Sequence, residues 1–238
     1  MVELKGGIEM RDVGLTLGTH DFRFDCRLPA GAVIAVTGAS GAGKSTFLNL
    51  LAGFDAPSNG QIMIDGADVT RSHPAQRPVS LVFQDNNLFT HLDVFTNVGL
   101  GIDPALKLSA SDRSAIPAAL EKVGLGGFER RMPATLSGGE RQRVAFARAL
   151  VRKRPALLLD EPFAALDPGL RNEMAVLLLD MHRQSGNTVV IVSHDPDEVR
   201  RIADFALFIE GGRIAVAAPI GDFVAYRDHR GLALFLQG

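Results

Sequence analysis

Four short runs of Val, Ile, Leu and Ala punctuate longer stretches of helical periodicity: Ala32–Val36, Val79–Phe83, Ala156–Leu159 and Val189–Val192. Each stops at a small or polar residue, as strands buried on both faces of a parallel sheet do. Gln61–Gly66 alternates instead and ends in a turn dipeptide, which predicts a half-exposed antiparallel strand. Over Leu170–Gln184, the residues Leu170, Met174, Leu177, Leu178 and Met181 form one helical stripe, opened by Asp167 as N-cap and Pro168 at the first helical position. Asp195-Pro196, followed by Asp197 and Glu198, opens another helix with acids in its first turn. Strands alternating with helices predict a layered α/β core. From about 85 to 150 no comparable strand run occurs, so that stretch reads as a helical insert into the core.

Composition narrows the functional classes. Charged residues make up 22% of the chain and 25 Lys+Arg face 27 Asp+Glu, a net charge of −2, which argues against a nucleic-acid-backbone binder. The one cysteine, Cys26, cannot form an internal disulfide, and the N-terminal residues lack a secretory pattern. A reducing, cytosolic setting is the expectation. No apolar stretch approaches the roughly 20 residues that span a bilayer, so any work at a membrane is done from its surface.

Chemistry enters at Gly38-Ala39-Ser40-Gly41-Ala42-Gly43-Lys44-Ser45-Thr46, a full P-loop pattern. A buried strand precedes it and the apolar run Phe47–Leu51 follows as a helix, which a glycine-rich turn without a ligand does not require. The glycines let backbone N–H groups turn inward around a β-phosphate, and the helix N-terminus adds positive potential. Lys44 suits the β- and γ-phosphates of ATP, and the Ser45 hydroxyl suits Mg²⁺. A second anchor is the run of leucines ending in Asp160-Glu161. Asp160, at a strand end beside a P-loop, can hold Mg²⁺ as a Walker B acid does. Glu161 can polarise the attacking water.

Leu136-Ser137-Gly138-Gly139-Glu140 narrows the family. Ser137 and Glu140 have capping-box spacing at the start of a helix running to about Lys153, and the two glycines expose N–H groups as a second anion site. With the P-loop and Asp160-Glu161, this run resembles the signature motif of the ATP-binding-cassette (ABC) ATPases. The resemblance covers about residues 8–230. It implies a P-loop NTPase core with an antiparallel β edge and an inserted helical signature subdomain at about 85–150, the core taking about 1–84 and 151–238. It also implies a nucleotide-sandwich homodimer, the signature of one subunit closing over the γ-phosphate held by the other.

Further roles follow from the same likeness. Gln84 resembles the Q-loop glutamine that reaches Mg²⁺ and the attacking water, Asp167 lies in a D-loop, and His194 resembles the switch histidine at the γ-phosphate. The family also stacks adenine on an aromatic residue about twenty positions before the P-loop. Leu17 stands about there in this chain, with His20 or Phe22 as substitutes, and Phe22 can equally belong to the core.

The residues after Gln84 include Asn86-Asn87-Leu88-Phe89-Thr90-His91-Leu92 and, farther on, Pro104-Ala105-Leu106-Lys107-Leu108. They look like the ATP-binding subunits of bacterial thiamine importers, although nothing in their chemistry selects thiamine. Leu88, Phe89 and Leu92 form a patch that suits a partner helix or the interior of the insert. The resemblance implies an ATPase bound peripherally to the cytoplasmic face of the inner membrane. Its partners are then permease subunits and, indirectly, an extracytoplasmic thiamine-binding protein. An importer of iron, sulfate or polyamine and a soluble ABC ATPase outside transport are the other readings.

Overall fold

A computed structural model describes residues 7–83, 87–164 and 166–237. In chain order its strands are β1 (Ile8–Leu17), β2 (His20–Leu28), β3 (Val33–Thr37), β4 (Asn59–Ile64), β5 (Ala67–Asp68), β6 (Val79–Val82), β7 (Ala156–Asp160), β8 (Thr188–Val192), β9 (Phe205–Glu210) and β10 (Arg213–Pro219). The α-helices are α1 (Lys44–Ala52), α2 (Val94–Gly99), α3 (Ala110–Lys122), α4 (Gly138–Val151), α5 (Pro168–Ser185), α6 (Pro196–Ile202), α7 (Ile220–Ala225) and α8 (Arg230–Gln237). They fall into two units. The first comprises Met1–Val79, Pro155–Glu161 and Gly186–Gly238, and the second Ser80–Arg154 and Pro162–Ser185.

In the first unit the strands follow the order β5-β4-β1-β2-β10-β9-β3-β8-β7 within one sheet. Every residue of β3 and β8 is buried, which is why their sequences carry no polar alternation. They pair in parallel, Val33 opposite Val189, and β7 joins β8 in parallel with Leu158 opposite Val190. At the other end of the order β1, β2 and β4 pair antiparallel. There Ile8, Met10 and Phe24 are buried while Arg11, Arg23 and Arg27 are exposed, the period-2 division of a half-solvated sheet. A register shift between Met10 and Val13 places Asp12 at φ 47°, and the Asn59 side chain donates to the Asp12 carbonyl at 2.7 Å.

α1 leaves the loop at the end of β3 and stops at Gly53, whose φ of 85° lets its N–H return to the Asn49 carbonyl. Beneath that end lies Arg77, 1% exposed. Its guanidinium donates to the carbonyls of Leu50 (2.6 Å), Leu51 (3.0 Å), Ser72 (3.2 Å) and Thr70 (3.3 Å). Burial lowers its pKa.

The second unit is mainly helical and takes α5 as well as the segment expected to be inserted. α4 buries Val144, Ala145, Phe146, Ala147 and Val151, and Phe146 meets the Phe163 ring edge-on at 6.4 Å. Arg143 on α4 pairs with Glu173 on α5 at 2.8 Å. Asn97, fully buried, donates to the carbonyls of Phe89, Leu92 and Asp93 and accepts from the Phe89 N–H. That fold leaves Phe89 49% exposed, with Leu88 and Leu92 only partly covered. No helix among the described residues is long and apolar enough to cross a membrane.

Candidate functional site: the cavity at the start of α1

The loop from Gly38 to Gly43 is shaped by what its glycines touch. Gly38 has φ 142°, and a Cβ there would collide with the Ile209 carbonyl oxygen. Gly43 has φ 110°, and a Cβ would stand 2.9 Å from the Phe22 ring. α1 then starts with the Phe47 N–H donating to the Gly43 carbonyl at 2.9 Å, leaving the N–H groups of its first turn without partners inside the helix. Lys44 is 8% exposed, and its ammonium donates to the carbonyls of Gly38 (2.8 Å) and Ala39 (2.9 Å). Burial lowers its pKa, and the carboxylates of Glu161 and Asp160 oppose that shift. Lys44, Ser45 and Thr46 line a cavity of about 460 Å³ together with Glu161, His194 and Phe22.

β7 delivers the acids. Asp160 accepts a hydrogen bond from the Ser45 hydroxyl; burial raises its pKa, Glu161 adds to the rise, and Lys44 and Ser45 oppose it. Two hard oxygen donors thus sit together at the start of α1, a donor set that fits Mg²⁺. Glu161 has φ 44°, an unusual backbone conformation for a residue with a side chain. Its Oε2 lies 3.3 Å from His194 Nδ1. His194 follows β8, just ahead of Asp195, which accepts from the N–H groups of Asp197 and Glu198 as the N-cap of α6.

In the second unit the signature run opens α4 with both arms of a capping box. Glu140 N–H donates to Ser137 Oγ at 3.2 Å, and Ser137 N–H donates to Glu140 Oε2 at 2.7 Å. Leu136 is buried, Gly138 is open to its surroundings, and Gly139 lies so close to Leu170 that a Cβ would collide with it. Asp167 caps α5 by accepting from the Leu170 N–H at 3.1 Å. Gln84, with its neighbours Asp85 and Asn86, lies outside the described residues.

The first unit therefore gathers the residues from Gly38 to Thr46, Asp160, Glu161 and His194. Leu136–Glu140 and Asp167 belong to the second. The P-loop pattern gave no sign of Gly212, whose N–H donates to the Ala42 carbonyl at 3.0 Å, or of Ile209, which backs Gly38. A wider depression of about 780 Å³ at Gln61, Asp68 and Thr70 is a different case. There the Thr70 and Gln61 side chains hold the Asp68 pKa down at about 2, so its charge is already satisfied within the protein.

A family model described as ABC transporter matches residues 22–164. The chain belongs to the ABC transporter family. Membership brings ATP binding with it, and the fold is that of an ABC ATPase. Among curated relatives, the thiamine import ATP-binding protein ThiQ of Rhizobium meliloti (strain 1021) is 52% identical over 229 residues, 96% of each chain. The protein of the same name from Chelativorans sp. (strain BNC1) is 51% identical over 92% of this chain and 89% of its own. Two solved structures of ABC proteins are similar. The dimeric post-hydrolysis state of the ATP-binding cassette MJ0796, bound to ADP and Pi, matches at TM-score 0.76 and 28% identity, over 90% of this chain and 98% of that one. CbiO1 of Clostridium perfringens, part of the transporter complex cbiONQ, matches at 0.82 and 29%, over 92% and 90%.

Proposed function

We propose that this chain is the ATP-hydrolysing subunit of an import complex that carries thiamine, and its phosphates, across the cytoplasmic membrane. The observation that carries the chemistry is the convergence of Lys44, Ser45, Glu161 and His194 on one cavity, with Asp160 hydrogen-bonded to Ser45. The cargo rests on 52% identity, across 96% of both chains, with a thiamine import ATP-binding protein.

The backbone N–H groups of Gly38–Gly43 and the start of α1 hold the β-phosphate of ATP. Lys44 then turns from the Gly38 and Ala39 carbonyls to the β- and γ-phosphates, its charge kept by Glu161 and Asp160 against burial. Ser45 and Asp160, with Gln84 as the family likeness implies, would hold Mg²⁺, which would neutralise developing phosphate charge. Glu161 accepts the proton of the attacking water, and His194 holds its carboxylate at 3.3 Å while facing the γ-phosphate. The residues Leu136–Glu140, with Asp167, act on the nucleotide of a second copy, and the signature subdomain takes about residues 85–150. Permease subunits anchor the pair at the cytoplasmic face of the inner membrane, and a thiamine-binding protein supplies them from outside. Nucleic acid is not a partner at a net charge of −2.

Proteoliposomes carrying the permease, the binding protein and this chain test the proposal. ATP inside should drive accumulation of labelled thiamine and leave sulfate, iron and polyamine outside. Accumulation of one of those solutes without thiamine overturns the cargo.

A further inference from the structure

Glu161 holds a conformation that its place in the chain opposes. A φ of 44° is rare for a residue with a Cβ, and the proline at 162 presses the residue before it toward extended backbone at negative φ. Such a residue persists only where the structure around it fixes it. On its N-terminal side β7 runs in register with β8 up to Asp160, which stands opposite Val192. On its C-terminal side the fixing comes from α4. Gln142, in the second turn of that helix, is 2% exposed, and its side-chain amide donates to the Pro162 carbonyl. One turn on, the buried ring of Phe146 meets the buried ring of Phe163 edge-on. The two residues that follow Glu161 are therefore both seated on the helix that opens at Ser137.

We propose that Gln142 is a positioning residue for hydrolysis: by holding the Pro162 carbonyl it keeps Glu161 at positive φ, with its carboxylate on the cavity. The inference rests on the reading of Glu161 as the base. A return of Glu161 to negative φ swings its Cα–Cβ bond, and Oε2 then leaves its place 3.3 Å from His194 Nδ1. Strain of this kind corresponds to a factor of about ten or more in the population of the aimed state. Gln142 is not among the residues that line the cavity, so its effect reaches the nucleotide only through Glu161. A buried glutamine that merely satisfies a carbonyl would stabilise the chain and leave the rate alone.

Steady-state and single-turnover ATP hydrolysis by the full chain with Mg²⁺ separates the two roles. Gln142→Met keeps the length of the side chain and removes the donor. Its kcat should fall by about tenfold or more while KM for ATP stays within about twofold. Gln142→His places an Nε2–H the same number of bonds from Cα and should recover most of the rate. In a Glu161→Gln background, Gln142→Met should lower single-turnover hydrolysis by less than about twofold further, because both changes act on one group. Gln142→Ala, with the best helix former at that position, is the donor-free variant to use where Gln142→Met fails to fold. An unchanged kcat, a loss carried by KM, no recovery in Gln142→His, or a further fall beyond about fivefold in the Glu161→Gln background overturns the inference. Hydrolysis at the native rate in Glu161→Gln overturns the reading of the base itself, and the inference with it.

Discussion

Two carboxylates stand side by side at the end of β7, and their surroundings treat one of them harshly. Burial and the neighbouring Glu161 raise the Asp160 pKa, so its charged form opposes folding. Below the ordinary carboxylate pKa both states are protonated and nothing is lost. Stability falls as pH rises from there through the raised folded value, and the deficit persists at neutral pH. Asp160→Asn should therefore raise the melting temperature at pH 7 by on the order of 2–4 °C, with the gain vanishing in acid, while weakening Mg²⁺-dependent hydrolysis. A melting temperature that drops at pH 7 contradicts the assigned burial. Cys26 is a second group set by its surroundings, its thiol pushed up to about 12 chiefly by burial. Iodoacetamide at pH 8 should leave it unmodified in the folded chain and label it in urea. Rapid labelling of the folded chain counts against that environment.

Arg77 shows how one element is closed by another. The last turn of α1 leaves carbonyls without helical partners, and the guanidinium takes those of Leu50 and Leu51 while reaching Thr70 and Ser72. Arg77→Ala should cost about 2–4 kcal/mol, read as a lower urea midpoint at unchanged slope, because buried acceptors lose their donor and a cavity is left. Arg77→Lys should recover little of it, since an ammonium cannot span that fork of carbonyls. A midpoint unchanged in Arg77→Ala contradicts this role. In the sequence Arg77 was one charged residue before a strand. Its acceptors lie 5 to 27 positions away, and only the tertiary fold brings them together. By contrast β3, β7 and β8 were legible because burial on both faces writes an unbroken apolar run. The P-loop was legible because its backbone shape demands glycine at fixed places. β1, β2, β9 and β10 announced themselves less clearly, their register being set by cross-strand partners. Phe22 stayed ambiguous between core and site because it is half of each: stacked on Phe24 from below, facing the cavity from above.

At the scale of the assembled molecule, the proposal shares each ATP between two copies related by twofold symmetry. Ser137 is exposed at the start of α4, where an arginine fits without disturbing the core. Ser137→Arg should leave ATP binding to the single chain nearly intact and stop hydrolysis. A mixed dimer of Ser137→Arg and Lys44→Ala holds one composite site with both lesions and one with neither, so mixing two inactive variants should restore partial activity. Strong ATPase activity from Ser137→Arg alone refutes the shared site. The most direct measurement of all compares ATP binding and single-turnover hydrolysis in Glu161→Gln. The amide keeps the shape of the side chain and removes the base. ATP binding should persist while hydrolysis falls by about 10²–10⁴-fold. Hydrolysis at the native rate would contradict the assignment of Glu161, and with it the account of how this cavity drives import.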